Sequence, residues 1–384
     1  MKNLLYLLFL LLISFNAAQE ISLYDSDGPG KYNITAFDRT GDRSIGGYFD
    51  TEYINNINSS SNNFRAHRLI IQLSSQLHSN LLFNSEIEYE YGGYVTNVDD
   101  ASNVQQGQIK IEQAWFDFKL NDLFTQRTGI VLIPFGRVNV LHDSDVRDST
   151  ERPLYAKHIV PSTWMDTGFG AHGSFDIDEY EFSYEAYLIN GIADTSDTID
   201  DISASSGIRS ARPNFKSDNN GNKSFIGRFS VSPFINLELA TSYYSGAYDD
   251  SGDNNLTMLG FDGLYKSGRH EFVFESAQNT LDVSESQPTK MFGYYIEYHY
   301  HTFQSQLKKL FNEFDNPEIT LFARYGSINT DVDNDYITNE YVAGFNFRPM
   351  ETVVYKIEYQ VKDYDNSDNA GSDKSIIASI AVGF

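Results

Sequence analysis

The residues best able to do chemistry crowd into 135–165. Arg137, Arg147, Arg152 and Lys157 alternate there with Asp143, Asp145, Asp148 and Glu151. A pore selects by the charge and diameter of its narrowest ring, and arginine forks suit carboxylate or phosphate oxygens. The stretch therefore reads as a pore-constricting loop. Arg137, Arg147, Arg152 and Lys157 would form a cationic wall, and Asp143, Asp145, Asp148 and Glu151 the facing one. The alternative is that these charges neutralise one another and brace the loop.

Other motifs lack the spacing or context their chemistry needs. His142, Asp143 and Ser144 are the ingredients of a hydrolase triad, but adjacent residues point in different directions, and a triad is a relation in space. No Gly-x-Ser-x-Gly elbow occurs. Gly168, Gly170 and Gly173 match a dinucleotide fingerprint, yet no helix pattern follows them. Small residues on that strand face would leave room for an inserted loop or ease wall curvature. Asp331, Asp333 and Asp335 begin like a calcium loop, but Val342 stands where the bidentate Glu belongs. With no cysteine in the chain, thiolate metal sites and disulfide scaffolds are excluded. No cofactor and no metal site is expected.

The elements that must position the loop are strands. Period-two alternation dominates. Leu81, Phe83, Ile87 and Tyr89 alternate with Glu86 and Glu88, and Val353, Tyr355, Ile357 and Tyr359 with Lys356 and Glu358. About sixteen such segments can be placed, from 44–54 to 374–384, each long enough for a tilted strand to cross a bilayer. An even count brings both ends of a closed barrel to one side. Connection lengths alternate short and long, except at 302–317, where apolar residues at helical spacing predict a short amphipathic helix on the barrel wall. The phase places Glu86, Glu88, Arg228, Arg324, Arg348 and Lys356 on the inner face, a mixed-charge lumen.

Both ends fit this reading. Residues 1–18 have the basic start, apolar run and small-residue finish of a secretory signal peptide, and 19–43 form a polar lead-in. The barrel then spans 44–384. The last strand ends on Phe384, an aromatic expected to serve barrel closure and assembly. The 26 Tyr and 28 Phe sit in a chain that is polar on average, as suits a barrel with aromatic girdles and a wet interior. A formal net charge of −25 argues against nucleic acid as a partner.

Four segments resemble the phosphate-selective (O/P type) porin family: Glu112–Phe118, Arg127–Gly136, Arg152–Leu154 and Val160–Gly168. The resemblance implies a sixteen-stranded outer-membrane barrel, a homotrimer, a loop folded into the pore, and passage of anions or small solutes. The expectation is an all-β closed antiparallel barrel in the bacterial outer membrane, a porin and not an enzyme. Its partners would be membrane lipid and small hydrophilic solutes or ions, anions among them. Two other functions fit the sequence: a barrel enzyme of lipase or protease type, and a blocked adhesive barrel whose acidic loops bind calcium or a partner.

Overall fold

A computed structural model describes residues 43–59, 61–93, 107–194, 201–282, 287–302, 304–314, 316–365 and 370–384. The expected signal peptide and nearly all of the lead-in lie outside them. The strands are β1 (Arg43–Asn56), β2 (Ser61–His78), β3 (Leu81–Glu90), β4 (Gln108–Asn121), β5 (Phe124–Leu132), β6 (Met165–Ile177), β7 (Tyr180–Ile189) and β8 (Ser224–Phe234). They continue with β9 (Leu237–Ala247), β10 (Asn255–Ser267), β11 (His270–Leu281), β12 (Lys290–Thr302), β13 (Glu318–Asn329), β14 (Ile337–Met350), β15 (Val353–Asp365) and β16 (Gly371–Gly383). Each pairs antiparallel with its sequence neighbours, and β1 pairs with β16 to close the barrel. Closure leaves no unpaired edge, the condition for strands to cross a hydrocarbon layer.

Alternation sorts the side chains. Phe116, Phe169, Leu188, Leu259, Phe345 and Ile357 face outward and are exposed, while Glu88, Asp262, Glu275, Glu340 and Glu358 on intervening phases are buried inside. An apolar exterior around a polar interior is the inverse of a soluble barrel and the pattern of a membrane-spanning one. Aromatics gather near the end with the short turns. Phe175 stacks on Phe182 at 5.3 Å, Phe272 meets Tyr298 at 5.0 Å, and Phe347 meets Tyr355 at 6.3 Å. They form a girdle at the height where amphipathic rings favour a membrane interface. The helix expected within 302–317 is present at Gln304–Leu310. It is followed by Phe311, whose ring lies 5.6 Å from Phe347 in that girdle.

Two β-bulges matter later. Asp50 pairs with Arg68 and Thr51 with Ala66, so His67 is the extra residue in β2. Glu86 pairs with Gln113 and Ile87 with Ile111, so Glu112 is the extra residue in β4. A bulge shifts side-chain phase: Lys110 and Glu112 turn inward before it, then Gln113, Trp115 and Asp117 after it. The connection between β1 and β2 is short although it lies at the long-loop end, a second departure from the expected alternation.

Candidate functional site

After β5 the chain turns into the barrel and crosses it before returning as β6. Two short helices, α1 (Gly136–Val140) and α2 (Tyr155–His158), punctuate this loop. Gly136 has φ of 69°, which lets the chain reverse without the steric cost a side chain would add. Phe135, Ile159, Val160 and Trp164 are fully buried, and Trp164 packs edge-on against Tyr244 at 5.2 Å. Apolar anchors need space, and two wall glycines supply it. A Cβ on Gly260 would lie 2.7 Å from the Phe135 ring, and one on Gly293 would lie 2.7 Å from Ile159. Gly168 and Gly170 serve the wall itself: a Cβ there would strike the Leu188 and Ala186 carbonyls of β7 at 2.2 and 2.0 Å.

Polar bonds fasten the loop on several sides. Glu275 accepts from the Arg137 and Val138 amides at 3.0 and 2.8 Å. Tyr48 of β1 donates to Asp143 at 3.0 Å. Arg348 of β14 donates to the carbonyls of Asp145 and Val146 at 2.8 and 3.2 Å. Lys356 of β15 donates to the carbonyls of Ser144 and Ser149. Arg324 of β13 reaches the Ser149 hydroxyl and the Glu151 carbonyl at 3.0 and 3.1 Å. Thr150 Oγ1 meets Ser379 of β16 at 3.1 Å. Backbone groups taken out of water need such partners.

The two opposed charged walls expected from the sequence do not form. Lys157 pairs with Glu151 of the same loop, and Arg137 leaves it to pair with Glu238 of β9 at 2.9 Å. Asp148 is shared by Arg348 and His299. The physical reason is burial, since holding a charge out of water is costly and pairing with a counterpart in reach offsets it. The inner-face residues have two kinds of job. Arg324, Arg348 and Lys356 hold loop atoms, while Glu86 accepts from Gln113, Glu88 pairs with Lys110, and Arg228 pairs with Asp262 and Glu238.

What is left over is positive. Arg147 donates to the His142 and Thr150 carbonyls, and Arg152 to the Thr163 hydroxyl at 2.9 Å. Two arginines from the next long loop join them: Arg209 donates to the Ser162 carbonyl, and Arg212 to the Thr163 carbonyl at 3.0 Å. Among the described residues none of these four guanidiniums has an ion pair, and Arg152 Nη2 is buried without a partner. Burial and the neighbouring Arg68 and Arg147 press the Arg152 pKa down to about 9, and burial with Arg212 presses Arg209 to about 10. Both remain charged at neutral pH. Arg209 and Arg212 were missed from sequence because nothing in a polar loop of 190–223 marks which bases fold inward. Above the loop, at the long-loop end, lies a cavity of about 450 Å³ lined by Arg65, Lys157, Lys362 and Lys374 along with Glu151 and Asp373.

No protein-family model matches the chain. An uncharacterized protein of Aquifex aeolicus (strain VF5) is 28% identical over 357 residues, covering 85% of this chain and 77% of that protein. Among solved structures, OmpF of Salmonella typhi in complex with daunomycin superposes with a TM-score of 0.58 at 11% identity, over 90% of this chain and 98% of that one. The anion-selective porin from Comamonas acidovorans gives 0.56 at 11% identity, over 89% and 99%. The fold is that of outer-membrane porins. At these identities the likeness concerns architecture, and the charges inside must be read from this chain alone.

The triad reading finds no geometry. His142 is fully buried, with Nδ1 on the Asn139 carbonyl and Nε2 facing Glu112. His158 Nδ1 donates to the Ser206 carbonyl. Among the described residues neither ring meets a serine hydroxyl. The Asp331 carboxylate is engaged locally, accepting from Asn334 at 2.8 Å.

Proposed function

We propose that this chain is a passive diffusion porin of the bacterial outer membrane, with its long loops outside and its short turns in the periplasm. Small hydrophilic solutes would pass between the barrel wall and the 133–164 loop, and anions would pass more readily than cations. The observation that carries the preference is the inventory of partners around that loop. Asp143, Asp148 and Glu151 are engaged by a hydroxyl or by bases and Asp145 alone keeps an unpartnered carboxylate oxygen, whereas the four guanidiniums of Arg147, Arg152, Arg209 and Arg212 reach only neutral oxygens. An anion passing this group would meet guanidiniums that no carboxylate pairs directly. Guanidiniums of this kind would favour anions in general without requiring phosphate as the solute. A homotrimer is the proposed assembly, on the family resemblance and the prevalence of closed symmetry.

The test is the reversal potential of single channels in a potassium chloride gradient. The wild type is expected to be anion-selective. One charge acting at ~8 Å through a watery path is worth ~0.5 kcal/mol, or roughly twofold in the preference for one ion. Arg152→Ala and Arg147→Ala should each lower the anion-to-cation ratio by about that factor or more. A cation-selective wild type, or a ratio indifferent to both changes, would refute the assignment. Absence of conductance in correctly folded protein would favour the blocked structural barrel.

A further inference from the structure

A second cluster lies where the loop meets β3 and β4. The β4 bulge turns Glu112 inward beside Glu86, and the loop brings His142 and Asp143 onto them. One ligand atom each from Glu86, His142 and Asp143 lie within 4.8 Å of one another. Glu112 Oε2 stands 3.2 Å from His142 Nε2, and Asp143 Oδ1 stands 3.6 Å from it. Tetrahedral metal bonds of ~2.0–2.1 Å place ligand atoms ~3.4 Å apart, so a small contraction would close this set on an ion.

Three observations point to a cation. First, His142 Nδ1 donates to the Asn139 carbonyl at 3.0 Å. That bond fixes the tautomer whose Nε2 lone pair faces the carboxylates, the arrangement that orients metal-binding imidazoles. Second, Glu86 and Glu112 are 1% and 0% exposed, and each keeps an Oε1 without a hydrogen-bond partner. Third, direct pairing is incomplete. Within this group Lys110 and Arg68 pair directly only with Glu88 and Glu112, so among the described residues Glu86 and Asp143 have no lysine or arginine paired to them, and a divalent ion would supply one positive centre for the group. The other imidazole–carboxylate group is a useful contrast. His67 Nδ1 donates to Asp50 at 2.9 Å and its Nε2 accepts from Arg68 at 3.2 Å, so that ring is satisfied without an ion.

We propose that Glu86, Glu112, His142 and Asp143 bind one divalent transition-metal ion, Zn²⁺ in first place. A single imidazole with several carboxylate oxygens suits zinc better than calcium, which takes oxygen ligands alone. Glu86 and Glu112 belong to the wall while His142 and Asp143 belong to the loop, so the ion would tie the loop to the barrel. Entry would be from the Asp143 side, whose side chain is 20% exposed.

The test uses the full barrel, folded in detergent, stripped with chelator and titrated with Zn²⁺ by equilibrium dialysis. One zinc per chain is expected, and Co²⁺ in its place should give a visible ligand-field absorption band. Glu86→Gln and Asp143→Asn should each weaken zinc at least tenfold, while His67→Gln leaves it unchanged. Heat-modifiable gel mobility checks that each variant is folded. Failure of folded wild type to take up stoichiometric zinc would overturn the proposal, leaving His142 as a bridge between the Asn139 carbonyl and Glu112. So would affinity indifferent to Glu86→Gln and Asp143→Asn, or calcium binding as tightly as zinc.

Discussion

Arg348 is the place to test whether the loop is held rather than merely present. Its guanidinium donates to the Asp145 carbonyl at 2.8 Å and the Val146 carbonyl at 3.2 Å, and lies 3.3 Å from Asp148. Arg348→Met keeps most of the apolar stem and removes these contacts together with a fourth, to the Arg147 carbonyl at 3.4 Å. Hydrogen bonds to a charged group contribute about 1.5–3 kcal/mol each. Water will replace part of that in the variant, so a net local loss of about 2–4 kcal/mol is expected for the 144–148 segment. At 1.4 kcal/mol per factor of ten, the displaced population should rise roughly 30- to 700-fold. The barrel itself should survive, because its strand ladders are untouched. A chain without cysteine makes the assay clean. Ser144 is 4% exposed, so Ser144→Cys places one protected thiol beside the clamp. Its rate of reaction with a water-soluble maleimide should rise at least 30-fold when Arg348→Met is added, with noisier single-channel current. Equal labelling rates in the two backgrounds would show that Arg348 does not hold the loop.

His158 and Phe384 give further expected outcomes. Burial, then Lys157 and Arg209 nearby, lower the His158 pKa to about 4, below an unfolded value of about 6.5. The folded form therefore binds this proton less readily. The stability gained from keeping the ring neutral is full above about pH 6.5 and is lost as pH falls toward 4. A thiol placed by Ser206→Cys should label faster at pH 5 than its intrinsic reactivity allows, and His158→Gln should remove that excess; a persisting excess would assign it elsewhere. Phe384 exchanges two backbone bonds with Gly47, at 2.9 and 3.1 Å, and its side chain is 66% exposed toward the girdle side. Deleting it should reduce the yield of heat-modifiable barrel while leaving the conductance of the barrels that form unchanged. Normal insertion of the shortened chain would count against that role.

The barrel was legible because its physics is local. A wall wet on one side and greasy on the other must alternate, so Val353 to Val361 announce β15 without reference to any other residue. The fate of the loop's charges was not, since Arg137 ends on Glu238 and Arg348 ends on Asp145, pairs that only the closed fold brings together. The bulges were hidden for a subtler reason. Adding one residue flips the phase, so Glu112 and Gln113 both turn inward where strict alternation would send one of them out. The glycines show the same division. That small residues would be needed could be inferred, but whether Gly168 or Gly260 receives the loop depends on where Phe135 lands.

The meeting of β1 and β16 has a consequence for how the molecule is completed. It joins the two segments farthest apart along the chain, and so is the last pairing that propagation from neighbour to neighbour would reach. The inner loop touches both of them, β1 through Asp143 on Tyr48 and β16 through Thr150 on Ser379. A feature that narrows the lumen is thus also a clasp across the seam. The barrel would close around its own contents, and lateral parting of the wall would have to undo the loop as well as the ladder.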